Sequence, residues 1–476
     1  MTTELAREEQ RVEEHSAALR KELGLRDLVL HQILFVVGTI WVGTAAKIGD
    51  AQLVFWLAAM LFFYLPQAMV VIELSRRMPL EGGLYQWARL ALGELMAFLV
   101  AWNLWMFAVV LISVIGLYVA TSLAYTIGPS AAWMASNKIL IVSMNVLVLS
   151  ALMVLAAIGL GVSKWLHNAG SVMLVVAFAA LIGLPFFAMA RGTIHDYRPF
   201  VFVFPALTLF NLNVFGKMAV GALSGFEYVA VLAGETKDAA RSIAKATMIA
   251  APIIAVMFIL GTSSVLAFIP IDKIDLIAPI PQVLRTGLGG SGVGSAAAGI
   301  AILFITVRTV ANSSLAFTGA TRMPMVAGWD NFLPMWFTKL HPRSRTPINS
   351  ILTIGFVAMA FGAAGIIGVG EQEAFQLLDN AAGIFYGVTY LIMFAIPLVG
   401  FRNADPRPSL ALRVASFSGF AVTLLYVVLS VVPIIDVASW LSFAIKISSV
   451  VIGLNLVGVA LFYRARRKKA LTTLDV

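Results

Sequence analysis

The chain has 476 residues, of which 60% are hydrophobic and only 12% charged, with a mean hydropathy of +0.93. Soluble domains are about 45–50% apolar and about 25% charged, so a water-soluble enzyme, a disordered chain and a nucleic-acid module are excluded. The formal charge is +9, there is no cysteine, and His15, His31, His167, His195 and His341 are scattered without an HExxH pair. Disulfides and Cys-ligated metals are thereby ruled out, and a polytopic membrane protein remains.

A spanning helix needs about 20 predominantly apolar residues. Twelve stretches qualify: 28–47, 52–72, 93–126, 138–160, 169–190, 205–233, 246–269, 297–320, 347–368, 374–400, 411–433 and 438–463. Residues 1–27 mix both charge signs before any apolar run, unlike the short basic start of a cleaved signal peptide; they read as a cytosolic tail. Charge bias sets the orientation. With the N-terminus inside, 24 Lys/Arg lie on cytosolic segments and 6 outside, with Lys217, Arg308 and Lys446 within spans. Both termini are expected in the cytosol of a plasma-membrane protein, with the basic run from Arg464 to Lys469 as a headgroup anchor.

Two spans carry glycines and small polar residues at mid-depth: Val37-Gly38-Thr39-Ile40-Trp41-Val42-Gly43-Thr44 in the first, and Gly221-Ala222-Leu223-Ser224-Gly225-Phe226-Glu227 in the sixth. Lipid cannot satisfy bare peptide groups, so a broken helix survives only where it lines a cavity or is buried in protein. Two interrupted spans at matching places in two halves of a chain point to a transporter's binding site. Gly221 and Gly225 also fit a small-xxx-small packing face, and both readings stand at this stage.

Further segments follow in order: Glu73-Leu-Ser-Arg-Arg-Met-Pro79-Leu-Glu-Gly-Gly83-Leu-Tyr85-Gln-Trp87, then Gly234-Glu235-Thr-Lys237, then Arg322, Trp329-Asp-Asn-Phe-Leu-Pro334 and His341-Pro342. With the two glycine-bearing spans they resemble the amino acid/polyamine/organocation (APC) superfamily from about residue 24 to about 400. The motif at 79–87 and Gly161-Val-Ser-Lys-Trp-Leu-His-Asn168 look like bacterial glutamate/GABA-antiporter-type permeases.

The resemblance implies an all-α, LeuT-type fold of 12 transmembrane helices. Residues 28–190 and 205–400 would be inverted five-helix repeats, 411–463 two peripheral helices, and 464–476 a basic tail. Substrate would lie between the breaks of spans 1 and 6. Its carboxylate would meet Ile40, Gly43 and Thr44, and its ammonium Ala222, Leu223 and Ser224. Gly38, Thr39, Gly221 and Gly225, at the breaks, would also be substrate-binding, and Phe107, Ala108 and Ala316 would add side-chain pocket. The usual Gly-small-Gly of span 1 is Val42-Gly43-Thr44 here, the position of an aromatic gate in span 6 is Gly221, and the lysine of proton-coupled members is absent from span 5. Ser313 and Ser314 stand where sodium-coupled relatives place hydroxyl ligands, although such serines also bond the i−4 carbonyl.

Ionisable residues within a membrane are functional candidates by default. By resemblance Glu227 is a proton-sensing or gate-linking carboxylate; otherwise it satisfies N–H groups freed by the break. At about 1.5 Å per residue, Lys217, Arg308 and Asp379 fall in the outer half. They suggest an external vestibule, clear of the binding site, in which Asp379 pairs with Arg308 or Lys217. Snorkelling or structural pairing is the alternative, and it suffices for Lys446.

The expected function is secondary transport of amino acids or related amines by alternating access, as a permease or an exchanger, with the lipid bilayer and a small solute as partners, a proton or sodium as candidate coupling ions, and no cofactor. Two buried cations favour an anionic or zwitterionic cargo. A polyamine/organocation transporter and a non-transporting amino-acid sensor on the same fold are the alternatives. A Walker motif, a channel filter and a nucleophile–base pair are all missing from the sequence.

Overall fold

The structure, a computed structural model, describes residues 21–78, 80, 82–289, 292–366, 370–400 and 407–474, with Gln10 and Glu14. Most of the expected tail at 1–27, Pro79 and Glu81 of the motif after span 2, and the last two residues lie outside them.

Helix α1 (Leu25–Val36) is followed after a three-residue gap in regular helix by α2 (Ile40–Ala46), and the two are bent by 44°. Next come α3 (Gly49–Arg77), the short α4 (Leu84–Leu92), α5 (Glu94–Ser113), α6 (Ile115–Ile127), α7 (Lys138–Ile158) and α8 (Leu160–Ala190). Helix α9 (Leu209–Gly216) runs into a π turn at Lys217–Ala222, and the chain resumes as 3₁₀ turns over Tyr228–Glu235. Then follow α10 (Ala239–Phe268), the short α11 (Pro279–Leu288), α12 (Gly292–Trp329), α13 (Ile348–Gly365), α14 (Glu371–Ala395, ending in a π turn at Ile396–Gly400), α15 (Leu410–Leu429) and α16 (Trp440–Leu474).

Among the described residues ten helices are long and apolar enough to cross a membrane, or up to eleven if the bent α1–α2 pair is one span. The stretch expected at 205–233 is built instead from short pieces, none of which suffices alone. Polytopic all-α architecture follows directly, because helices satisfy their own peptide groups in lipid.

Two departures from the expected spans have clear causes. Helix α8 begins at Leu160 and not at residue 169, since the turn from α7 needs only Gly159, whose φ of +111° suits glycine. Its first two turns were too polar to read as a span, yet their polar groups are satisfied inside the protein. Lys164 bonds Glu22, His167 meets Ser314 Oγ at 3.1 Å, and Asn168 donates to Asp27 at 2.8 Å. The third span divides into α5 and α6 at Val114, where the backbone leaves helical geometry.

Helices α4 and α11 occupy corresponding places. One lies between the second and third spanning segments, the other between the seventh and eighth, and the broken segments are likewise the first and sixth. A five-helix unit used twice is written in that order. Helix α5 is enclosed nearly along its whole length, whereas α15 and α16 turn Val414, Phe417, Leu441, Ile445 and Leu456 outward. Such faces suit hydrocarbon, and they make the last two helices peripheral.

The α4 end of the bundle carries a buried polar seal. Arg322 of α12 makes a bidentate pair with Glu235 at 2.8 and 3.0 Å. Asp330 accepts from Tyr85 Oη and pairs with Arg89 of α4 at 3.1 Å. Residues 22–23 and 235–237 bond each other through their backbones. The motif segments after span 2, after span 6 and in the loop after span 8, far apart in sequence, therefore meet at one end of the fold.

Candidate substrate cavity

Both interruptions fall beside a cavity of about 100 Å³. That is below the roughly 300–1,000 Å³ of drug-sized pockets, so the space suits a small solute. Its walls come from seven segments: the α1–α2 break (Gly38, Thr39, Ile40, Trp41), α5 (Phe107), α6 (Tyr118), the break after α9 (Gly221, Ser224), α12 (Arg308, Thr309, Asn312, Ser313), α14 (Asp379, Tyr386) and α15 (Tyr426).

The first break is local in origin. Val37 leaves helical geometry with ψ of 81°, and the Gly38 N–H turns back to the Val36 carbonyl at 2.8 Å. Carbonyls at the end of α1 are thus left without helical partners. Arg308 of α12 reaches them, its Nη2 donating to Leu34 O at 2.9 Å and to Val37 O. A guanidinium at the carbonyl end of a half-helix is favoured twice, by charge-assisted hydrogen bonds and by the helix dipole.

The second break is tied differently. The π turn ends at Ala222, Ser224 Oγ donates back to Val220 O, and Gly225 adopts φ of +129°, a conformation that side chains resist. Gln67 donates to the Leu223 carbonyl at 3.0 Å, and the Gly225 N–H donates to Tyr390 Oη at 2.8 Å. Glu227, fully buried, accepts from the hydroxyls of Tyr386 and Tyr390 on α14.

Trp41 joins the two breaks. A Cβ added at Gly38 would lie 2.5 Å from its indole, and one at Gly221 only 2.6 Å from its far edge. The bulk missing from position 221 is therefore supplied from α2. Sequence reading could weigh the bare Gly221 but not the aromatic ring that covers it.

Of the residues named from sequence, Gly38, Thr39, Ile40, Phe107, Gly221, Ser224 and Ser313 line the cavity, together with Arg308 and Asp379. The others lie behind its walls. Gly43 packs where a Cβ would strike Pro279, and Thr44, next to it in the chain, and Ala222, next to Gly221, are buried. The polar groups of Leu223 and Gly225 are taken up by Gln67 and Tyr390. Ala108 and Ala316 belong to an apolar cluster with Ile112 and Ile351, and the Ala316 carbonyl accepts from Tyr228 Oη. Ser314 faces His167.

The vestibule expected from Lys217, Arg308 and Asp379 is corrected. Arg308 and Asp379 line the central cavity itself, and Lys217 is buried behind it, donating to Asn380 Oδ1. Among the described residues no ion pair joins Asp379 to either cation. Distance along a helix axis gave their depth but not their azimuth, and the break presents carbonyls that compete for the guanidinium. Lys446 pairs with Glu373 at 3.4 Å.

This constellation of broken helices can be set beside known proteins. The sequence profile of the family described as "Amino acid permease" matches residues 28–459. The chain belongs to that family. As a member of the APC superfamily it is a secondary transporter of the amino acid and polyamine permease kind, and a multi-pass membrane protein.

The branched-chain amino acid permease BcaP of Bacillus subtilis is 25% identical over 76% of this chain and 80% of its own. The low-affinity putrescine importer PlaP of Escherichia coli K12 is 26% identical over 64% and 67% respectively. The crystal structure of MhsT in complex with L-phenylalanine superposes with a TM-score of 0.62 at 16% identity, covering 85% of this permease and 97% of that chain. That likeness fixes the LeuT-type fold.

Proposed function

We propose that this permease carries an amino acid or related amine across the plasma membrane by alternating access, with the substrate held between the α1–α2 break and the break after α9. The observation that carries the reading is the coincidence of the cavity with both interruptions. Unwound backbone and half-helix ends are ligands for a small polar solute, and the seal between Glu235 and Arg322 is a contact that must open on the α4 side.

In this reading the N–H groups that open α2, at Ile40 and its neighbours, receive a carboxylate. Phe107, stacked on Tyr386 at 4.1 Å, walls the side chain. Glu227 ties the second break to α14 through two tyrosines, so that the two move together. The chain crosses the membrane twelve times with both termini in the cytosol, the arrangement the positive-inside bias favours.

The test is counterflow in proteoliposomes loaded with each amino acid, GABA, putrescine or choline. Accumulation of a labelled amine against an excess of the same solute inside is the expected result. Saturable binding to the purified protein without any flux would overturn it in favour of a sensor.

A further inference from the structure

The two ionisable acid–base side chains of the cavity wall, Arg308 and Asp379, are not equivalent. Arg308 gives one nitrogen, Nη2, to two carbonyls of the α1 end, while its Nε is buried without a partner. Lys217 does not line the cavity, and its ammonium is engaged by Asn380, the residue next to Asp379. Asp379 is the exception. Its carboxylate lines the cavity and, among the described residues, accepts no hydrogen bond and enters no ion pair. The Asp379 carboxylate is therefore the acceptor that the cavity wall holds open for a cationic group, beside the partly used guanidinium of Arg308.

We propose that Asp379 is the residue that receives a cationic group of the substrate, and that the cargo is an organic amine that brings an ammonium or guanidinium to this carboxylate: a basic amino acid or a diamine. This deepens the proposed function and rests on its cavity. Carboxylates bind such groups through charge-assisted hydrogen bonds, and a desolvated acid with no hydrogen-bonded partner discriminates against an anionic end brought beside it. Lys217, held one residue away, supplies compensating charge while the cavity is empty of cargo. Arg308 does the same for the α1 end and leaves no requirement for a mobile cation there. A basic amino acid and a diamine share this contact between a distal cation and Asp379.

The experiment is competition for uptake into proteoliposomes by arginine, lysine, agmatine, putrescine, leucine and glutamate, with wild type, Asp379→Asn and Asp379→Glu. In wild type at least one of the four cationic probes should outcompete both leucine and glutamate by fivefold or more. Asp379→Asn should weaken that probe at least fivefold, while Asp379→Glu keeps the rank order. Arginine and lysine ahead of agmatine and putrescine would mark an amino-acid carrier, and the reverse order a diamine carrier. Leucine or glutamate matching the cations in wild type, or a change under fivefold in Asp379→Asn, overturns the assignment. Thermal shifts of the purified variants with the same probes give the comparison even where a variant transports poorly.

A separate control tests the cavity. The chain has no cysteine, so Thr309→Cys, on the cavity wall, introduces a sole thiol. Its modification by a thiosulfonate should block uptake and be slowed by the transported probe. If modification neither blocks nor is slowed, the cavity reading itself fails; if it does both while Asp379→Asn is silent, only the role of Asp379 fails.

Discussion

The break between α1 and α2 and the break after α9 pose one physical problem, bare peptide groups in a water-poor interior, and solve it with different chemistry. At the first, a permanently charged guanidinium from α12 holds two carbonyls. At the second, uncharged partners do so: Gln67 on the Leu223 carbonyl and Tyr390 on the Gly225 N–H, with Glu227 drawn in through the tyrosines. The carbonyl end of a half-helix has negative partial charge, so a cation suits it. The second break exposes a donor and an acceptor together, which a phenol and a carboxamide can serve.

The largest expected effect of unequal chemistry is at Arg308. Arg308→Leu strands two buried carbonyls, and at about 1–3 kcal/mol for each unsatisfied group it should cost about 2–6 kcal/mol of stability. Thermal unfolding in detergent measures this, and a melting temperature equal to wild type would mean that the first break does not depend on the guanidinium.

Tyr390→Phe attacks the other break. It orphans the Gly225 N–H, worth about 1–3 kcal/mol, but leaves Glu227 its bond from Tyr386. A smaller loss of stability than in Arg308→Leu is expected, with a clear fall in uptake. A larger loss would invert the comparison.

Gly221→Ala probes the contact between the two breaks. Its Cβ meets the Trp41 ring 2.6 Å away, so uptake should drop severalfold, and Trp41→Phe in the same chain should recover part of it. Additive losses in that double mutant would show that the ring and the glycine act separately.

Ser314→Ala should have the least effect. It removes one hydrogen bond to His167 outside the cavity, for about 0.5–1.5 kcal/mol, with apparent substrate affinity unchanged. A loss of affinity, or of a sodium dependence seen in wild type, would restore Ser314 to the transport site.

How far the site could be read in advance depended on the kind of signal. Gly38, Gly221 and Gly225 were legible because glycine at mid-membrane has few uses apart from close packing or an irregular backbone. Arg308 and Asp379 were legible as anomalies, since charge in lipid demands a reason, but their partners were not. Gln67, Tyr386, Tyr390 and Trp41 were missed as site residues, for nothing in their local sequence distinguishes them from ordinary packing. A buried tyrosine on an amphipathic face could have been noted, although not its target 165 positions away.

Composition and hydrophobic run lengths alone determined that this chain lives in a bilayer as a helical bundle, because only internally bonded backbone survives there. Glycine placement and motif order determined where two helices come apart and to which superfamily the chain belongs. The tertiary structure decided the partners: that Arg308 serves the backbone, that Asp379 is left facing the cavity, and that Trp41 covers Gly221. Such choices depend on the rotation of each helix about its axis, which is set by packing against all of its neighbours at once and has no local trace in the sequence.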